Sequence, residues 1–104
     1  MPTGFHHVTL KVTDLDRARA FYEGILRFTV DQDFPGEKLR FRFGEGNQAR
    51  LALRPPLPGT PAGDQFTGRR TGLAHLSVGV ASGAEPDQLT EALRRAGVTR
   101  RPEP

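Results

Sequence analysis

The stretch His6-His7-Val8-Thr9-Leu10-Lys11-Val12 decides the reading of this chain, because Ala74-His75-Leu76-Ser77-Val78-Gly79-Val80 repeats its plan. In each, apolar residues alternate with polar or small ones. That period of two predicts a strand with one buried face and one polar face. In each, an imidazole (His7 or His75) falls on the polar side, and a turn and a helical pattern follow. A strand-helix phrase used twice implies two halves of one pseudo-symmetric pocket. By the same parity His6 shares the side of Val8 and reads as a packing or edge residue.

Outward from the first strand, Thr13-Asp14-Leu15-Asp16 offers an N-cap hydroxyl with an acid three positions on, close to a capping box. Leu15, Ala18, Phe21, Tyr22 and Ile25 then form an apolar helical stripe, weakened near its end by Gly24. A short strand is expected over Phe28–Asp31, a turn at Pro35-Gly36, and a clean alternating strand over Leu39–Phe43. Gly44-Glu45-Gly46-Asn47 is hairpin-loop chemistry, and Arg50–Arg54 is the returning strand. Residues 5–54 thus spell a β-α-β-β-β module. Residues 55–71, rich in proline and glycine, read as a linker loop. Residues 72–98 restart with a strand over Leu73–Val80 and a helix. Pro86 suits that helix's first turn, Leu89, Ala92, Leu93 and Ala96 make its stripe, and Gly97 stops it. Residues 99–104 read as a tail. The expected fold class is α+β, one domain over 1–104, whose second module lacks about 25–30 residues of strand and turn by typical element lengths.

Composition narrows the chemistry. With no cysteine, disulfides and thiolate metal sites are excluded. No basic-then-apolar leader is visible, and no apolar run approaches the roughly 20 residues of a membrane span, so a soluble cytoplasmic protein is expected. The net charge of +3 is carried almost wholly by arginine, Lys11 and Lys38 being the lysines. Such a balance suits nucleic acid, an acidic small molecule, or a GC-rich coding sequence. Arg94-Arg95 and Arg100-Arg101 lack interleaved aromatics and any nucleic-acid-binding phrase, and read as a solvated helix end; no nucleic-acid partner is expected.

Strand parity gathers the remaining charge. Opposite the apolar side of the strands lie His7, Thr9, Lys11, Arg40, Arg42, Arg50, Ala52 and Arg54, with His75 and Ser77 on the corresponding side of the second strand. On one sheet these make a cationic concavity able to hold a carboxylate, phosphate or phosphonate. Lys11, Arg40, Arg42, Arg50, Arg54 and Ser77 are therefore the candidate ligand-binding residues. The competing reading is a solvated sheet face, since antiparallel sheets often keep one wet side.

His7-Val8-Thr9-Leu10-Lys11-Val12-Thr13-Asp14-Leu15, followed by Ala20-Phe21-Tyr22 and Leu26-Arg27-Phe28, resembles the opening of the vicinal oxygen chelate superfamily. That group includes glyoxalase I, extradiol dioxygenases, and bleomycin- and fosfomycin-resistance proteins. Gly72-Leu73-Ala74-His75 is similar to the start of its second module. The resemblance implies two β-α-β-β-β modules curled round a divalent metal, held by a His on the first strand of each module and a Glu on the last. His7 and His75 fall on the two His positions. Ala52 stands where the first Glu is expected, the second Glu position is beyond residue 104, and Arg27 replaces the usual glycine of a Leu-Gly-Phe phrase. Two imidazoles would suit Zn, Ni, Fe or Mn weakly, and the missing carboxylate removes a general base. For an enzyme, the resemblance implies metal-dependent lyase, dioxygenase or transferase chemistry with small molecules. For a resistance-type relative it implies metal-free sequestration. For a shortened, non-catalytic domain, the open sheet edge implies a homodimer, strand-exchanged, in which each chain completes the other.

Overall fold

In β1 (Val8–Lys11) and β4 (Ala49–Arg54) the chain pairs its first and last sheet strands side by side and parallel, Val8 against Leu51 and Leu10 against Leu53. Antiparallel β3 (Lys38–Phe43) and β2 (Thr29–Phe34) complete an open four-stranded sheet of order β1-β4-β3-β2. This computed structural model describes residues 1–65, 67, 69–73, 75–80 and 84–98. The chain divides into two units, Met1–Gln65 and Phe66–Pro104.

The first unit contains the expected β-α-β-β-β order, with strand ends within three residues of the expected ones. Its helix α1 (Leu15–Arg19) runs directly into a π-helical stretch, Ala20–Ile25. The N-cap is Asp14, not Thr13: its carboxylate accepts from the Arg17 N–H at 3.0 Å. A cap needs extended backbone with its side chain aimed at the third following N–H, and Asp14, at φ −141°, meets both conditions. The widened last turn ends with the Leu26 N–H donating to the Phe21 carbonyl and the Phe28 N–H to the Tyr22 carbonyl. Between them Arg27 adopts φ +62°. The loop before β4 turns over Glu45–Asn47, entered through Gly44 at φ +83° and passing through the left-handed region at Gly46, φ +63°, and Asn47, φ +53°.

The core lies on one face of the sheet. Phe28, Leu39, Phe41, Leu51 and Leu53 are buried, and Val8, Leu10, Leu15, Ala18, Tyr22 and Leu26 pack against them. Leu53 and Phe41 are wholly buried. Phe28 stacks on Phe43 with ring centroids 4.0 Å apart, and Tyr22 closes the cluster 5.8 Å from Phe28 and 5.9 Å from Phe41. Burying each such side chain contributes about 1.5–3 kcal/mol. Arg19 ties helix to sheet, bonding Glu23 at 3.0 Å and Asp33 of β2 at 2.9 Å.

In the second unit α2 (Ala84–Arg95) has Pro86 in its first turn. Gly97, at φ +75°, ends it: the Gly97 N–H donates to the Arg94 carbonyl and the Val98 N–H to that of Leu93, a Schellman motif. The expected strand over Leu73–Val80 is not formed by the described residues 75–80, which join no ladder. Leu73, Leu76, Val78 and Val80 are exposed. Alternation makes a strand only where a neighbouring strand takes up its backbone groups, and residues 75–80 have none. Ala74, the turn residues 81–83 and the tail 99–104, with Arg100 and Arg101, lie outside the described residues.

Candidate functional site

The face of the sheet opposite the core gathers most of the charge read from strand parity. Register places Arg42 of β3 directly opposite Arg50 of β4, and Arg40 opposite Ala52. Thr9 of β1 flanks Ala52 on the other side, and Lys11 pairs with Arg54 at the far end. No helix or strand of residues 1–65 packs on this face. Ala52, a single methyl between longer neighbours, is nevertheless only 1 % exposed.

A β-bulge in β2 supplies the counter-charge. Val30 faces Phe41 and Gln32 faces Arg40, so Asp31 is the extra residue, with no partner of its own in the register. Its carboxylate spans two arginines. One oxygen, Oδ2, accepts from Arg40 Nε at 2.8 Å and lies 2.6 Å from Nη2; the other, Oδ1, is 3.1 Å from Arg42 Nε. These hydrogen bonds, Arg40's first, hold the Asp31 carboxyl below its usual range. The Asp31 and Arg40 side chains are 17 % and 14 % exposed, which makes this the most sheltered ion pair of the described residues. Arg50 receives no such partner: its Nε is buried without a hydrogen bond, as is Gln32 Oε1.

The two N-terminal imidazoles stand at the end of the sheet where β1 and β4 begin. Nδ1 of His6 and Nδ1 of His7 are 2.8 Å apart, one donating to the other, with the rings edge-on. His6 was expected on the side of Val8, but a bend at His6 breaks the alternation before β1 starts. Its ring instead feels the arginine face. The Arg50 charge, followed by burial, His7, Arg40 and Arg42, lowers its pKa.

Among the sequence candidates, therefore, Arg40, Arg42 and Arg50 are brought together, Lys11 and Arg54 extend the same face, and His7 stands just before it. Arg54 also borders a shallow open depression with Phe34, Glu37 and Lys38. His75 and Ser77 belong to the second unit, exposed and outside any strand. Sequence reasoning missed Asp31 and Gln32, because a bulge shifts parity without leaving a signature in the alternation. An acid on a strand neighbouring Arg40 and Arg42 was the available signal.

A family model of the Glyoxalase/Bleomycin resistance protein/Dioxygenase superfamily matches residues 4–104. The chain belongs to this superfamily. No curated protein matches it significantly. Among solved structures, this superfamily member is similar to a glyoxylase/bleomycin resistance protein/dioxygenase domain from Frankia sp. EAN1pec, at 29 % identity and a TM-score of 0.76, over 93 % of this chain and 71 % of that one. The fosfomycin resistance protein FosX from Listeria monocytogenes shares the fold at 22 % identity and a TM-score of 0.70, over 100 % of this chain and 72 % of its own, in a complex with Mn(II) and sulfate. Lactoylglutathione lyase from Agrobacterium tumefaciens shares it at 23 % identity and a TM-score of 0.64, over 92 % and 72 %.

The Mn(II) held by FosX raises the question of whether this member's donors fit a divalent ion. Among the described residues no group of three or more His, Asp or Glu side chains is placed to hold one. The first unit presents His6 and His7 beside three guanidinium groups, a methyl at Ala52, and a carboxylate already shared by Arg40 and Arg42. Hard divalent ions need oxygen donors, and a cation placed here would meet cations. The described donors of the first unit therefore do not fit a hard divalent ion such as Mn(II).

Proposed function

We propose that this superfamily member binds a small molecule through its anionic group on the arginine face, at Arg42 and Arg50, with Lys11 and Arg54 extending the positive field. The observation that carries the reading is the direct cross-strand pairing of Arg42 with Arg50, whose buried Nε has no partner. Like charges directly opposite destabilise a sheet, and an unsatisfied buried donor costs more again. An oxyanion between the two guanidinium groups answers both costs with charge-assisted hydrogen bonds. The complex of FosX with Mn(II) and sulfate ion accords with an anion on this fold. The proposed activity is ligand binding without a metal, as in the sequestering branch of the superfamily.

Thermal unfolding with inorganic phosphate tests it. At tenfold excess over Kd, a ligand specific for the folded state adds about 1.4 kcal/mol, or about 6–11 °C in a domain of this size. Arg50→Met should abolish most of that shift, whereas Glu45→Gln in the hairpin loop should keep it. An equal shift in wild type and Arg50→Met refutes the reading.

A homodimer is the second part of the proposal. Leu76, Val78 and Val80 are exposed in a segment without a ladder, and among the described residues β1 has no strand on its outer side. Edge and segment offer each other backbone pairing between copies. Light scattering at micromolar concentration should give twice the chain mass; a clean monomer counts against it.

A further inference from the structure

We infer that Asp31 is a built-in occupant of one of two adjacent anion seats, and that it leaves this protein to hold a ligand by one anionic head only. The inference rests on the anion-binding reading above and adds the class of ligand.

The arginine face has two places where a carboxylate could lie. Arg40 and the inner edge of Arg42 form one; the outer part of Arg42 and Arg50 form the other. Arg40 and Arg42 are two residues apart on β3, about 7 Å, and Arg50 lies directly across from Arg42 on β4, so the two seats are neighbours that share Arg42. Asp31 fills the first as a bound carboxylate ligand would, taking two contacts from Arg40 on one oxygen and one from Arg42 on the other. It reaches there because the bulge between Val30 and Gln32 releases it from the ladder. Bulges commonly re-aim a side chain next to a site in this way. The second seat keeps a buried donor, Arg50 Nε, without an acceptor. One seat is thus occupied by the chain itself, and one is left for a ligand. A ligand with two anionic heads gains no direct contact from its second head, because Asp31 already holds the matching guanidinium and repels a further carboxylate.

Butyrate and succinate, four-carbon acids with one and two carboxylates, read this directly by calorimetric titration. Wild type should bind succinate no more than a few-fold better than butyrate, the excess reflecting net charge alone. Asp31→Ala, which empties the first seat, should shift the succinate-to-butyrate affinity ratio by about tenfold or more, the scale of one charge-assisted bidentate contact. Asp31→Asn keeps the size of the side chain while removing its charge. It should shift the ratio in the same direction, and serves if Asp31→Ala does not fold, as circular dichroism will show. A ratio unchanged within about twofold in the folded variant overturns the inference, since one bidentate contact is worth far more. Phosphate titration of wild type against Arg50→Met runs alongside. If phosphate binds through Arg50 while the ratio ignores Asp31, only the seat assignment falls. If phosphate binding does not depend on Arg50, the anion-binding reading itself falls.

Discussion

Replacing Arg27 by glycine is expected to stabilise the first unit. Arg27 closes the π-helical turn at φ +62°, in the left-handed region where a Cβ crowds the following carbonyl. For an L-residue this costs about 1–2 kcal/mol, and glycine escapes it. Glycine returns part of the gain through its freer unfolded chain, about 0.5–1 kcal/mol, leaving a net stabilisation of about 0.5–1 kcal/mol. The Arg27 side chain offers little to lose, because it is exposed and takes part in none of the described ion pairs. For a domain of this size the melting temperature should rise by about 3–6 °C. Calorimetric melting of wild type, Arg27→Gly and Arg27→Ala separates conformation from charge. The alanine variant removes the guanidinium but keeps the Cβ, and should melt within about 1–2 °C of wild type, as surface substitutions usually do. If Arg27→Gly melts no higher than Arg27→Ala, the backbone argument is refuted.

Three further outcomes follow from the same geometry. Phe41→Ala, removing a wholly buried ring at the centre of the aromatic cluster, should cost about 3–5 kcal/mol in urea unfolding; a loss under about 1 kcal/mol would mean the core is not seated there. Asp31, whose folded pKa is depressed by Arg40 and Arg42, contributes stability that is present above its unfolded pKa and lost as pH falls through the folded value. The stability gap between wild type and Asp31→Asn should therefore be largest near neutrality and close below the usual carboxylate range; a gap that widens on acidification contradicts the pairing. Protein equilibrated with Mn(II) and desalted should retain well under one equivalent, because His6 and His7 stand among guanidinium groups. Stoichiometric metal lost on both His7→Ala and His75→Ala would restore the two-imidazole site.

The β-α-β-β-β order could be read from the chain because its signals are local: alternation over Leu39–Phe43, turn residues at Pro35-Gly36 and Gly44–Asn47, and a three-four stripe from Leu15 to Ile25. Arg40, Arg42 and Arg50 were placed on one face for the same reason, since parity within a regular strand is reliable. Features that depend on departures from regularity were hidden. The bulge at Asp31, the bend at His6 and the π-type widening over Ala20–Ile25 each shift a side chain by one position without changing residue type. Leu73–Val80 carried the alternation of a strand, but residues 75–80 have no neighbouring strand among the described residues. That they form none is a tertiary outcome that no window of sequence contains. Arg27 was visible as a departure from a Leu-Gly-Phe phrase, and its positive φ supplies the physical meaning of that departure.

The parallel pairing of β1 with β4 also orders events in time. β2, β3 and β4 are joined by short turns and can zip as a meander, whereas Val8 meets Leu51 only after everything between them has been gathered in. Closing that loop costs about 3 kcal/mol of chain entropy beyond the constant term, so β1 is expected to dock late. His6 and His7 ride on its leading end. The guanidinium row is therefore assembled, and balanced by Asp31, before the imidazoles arrive beside it. An anion present during folding would meet an open arginine surface first and a flanked one afterwards, so ligand capture and completion of the sheet belong to one sequence of steps.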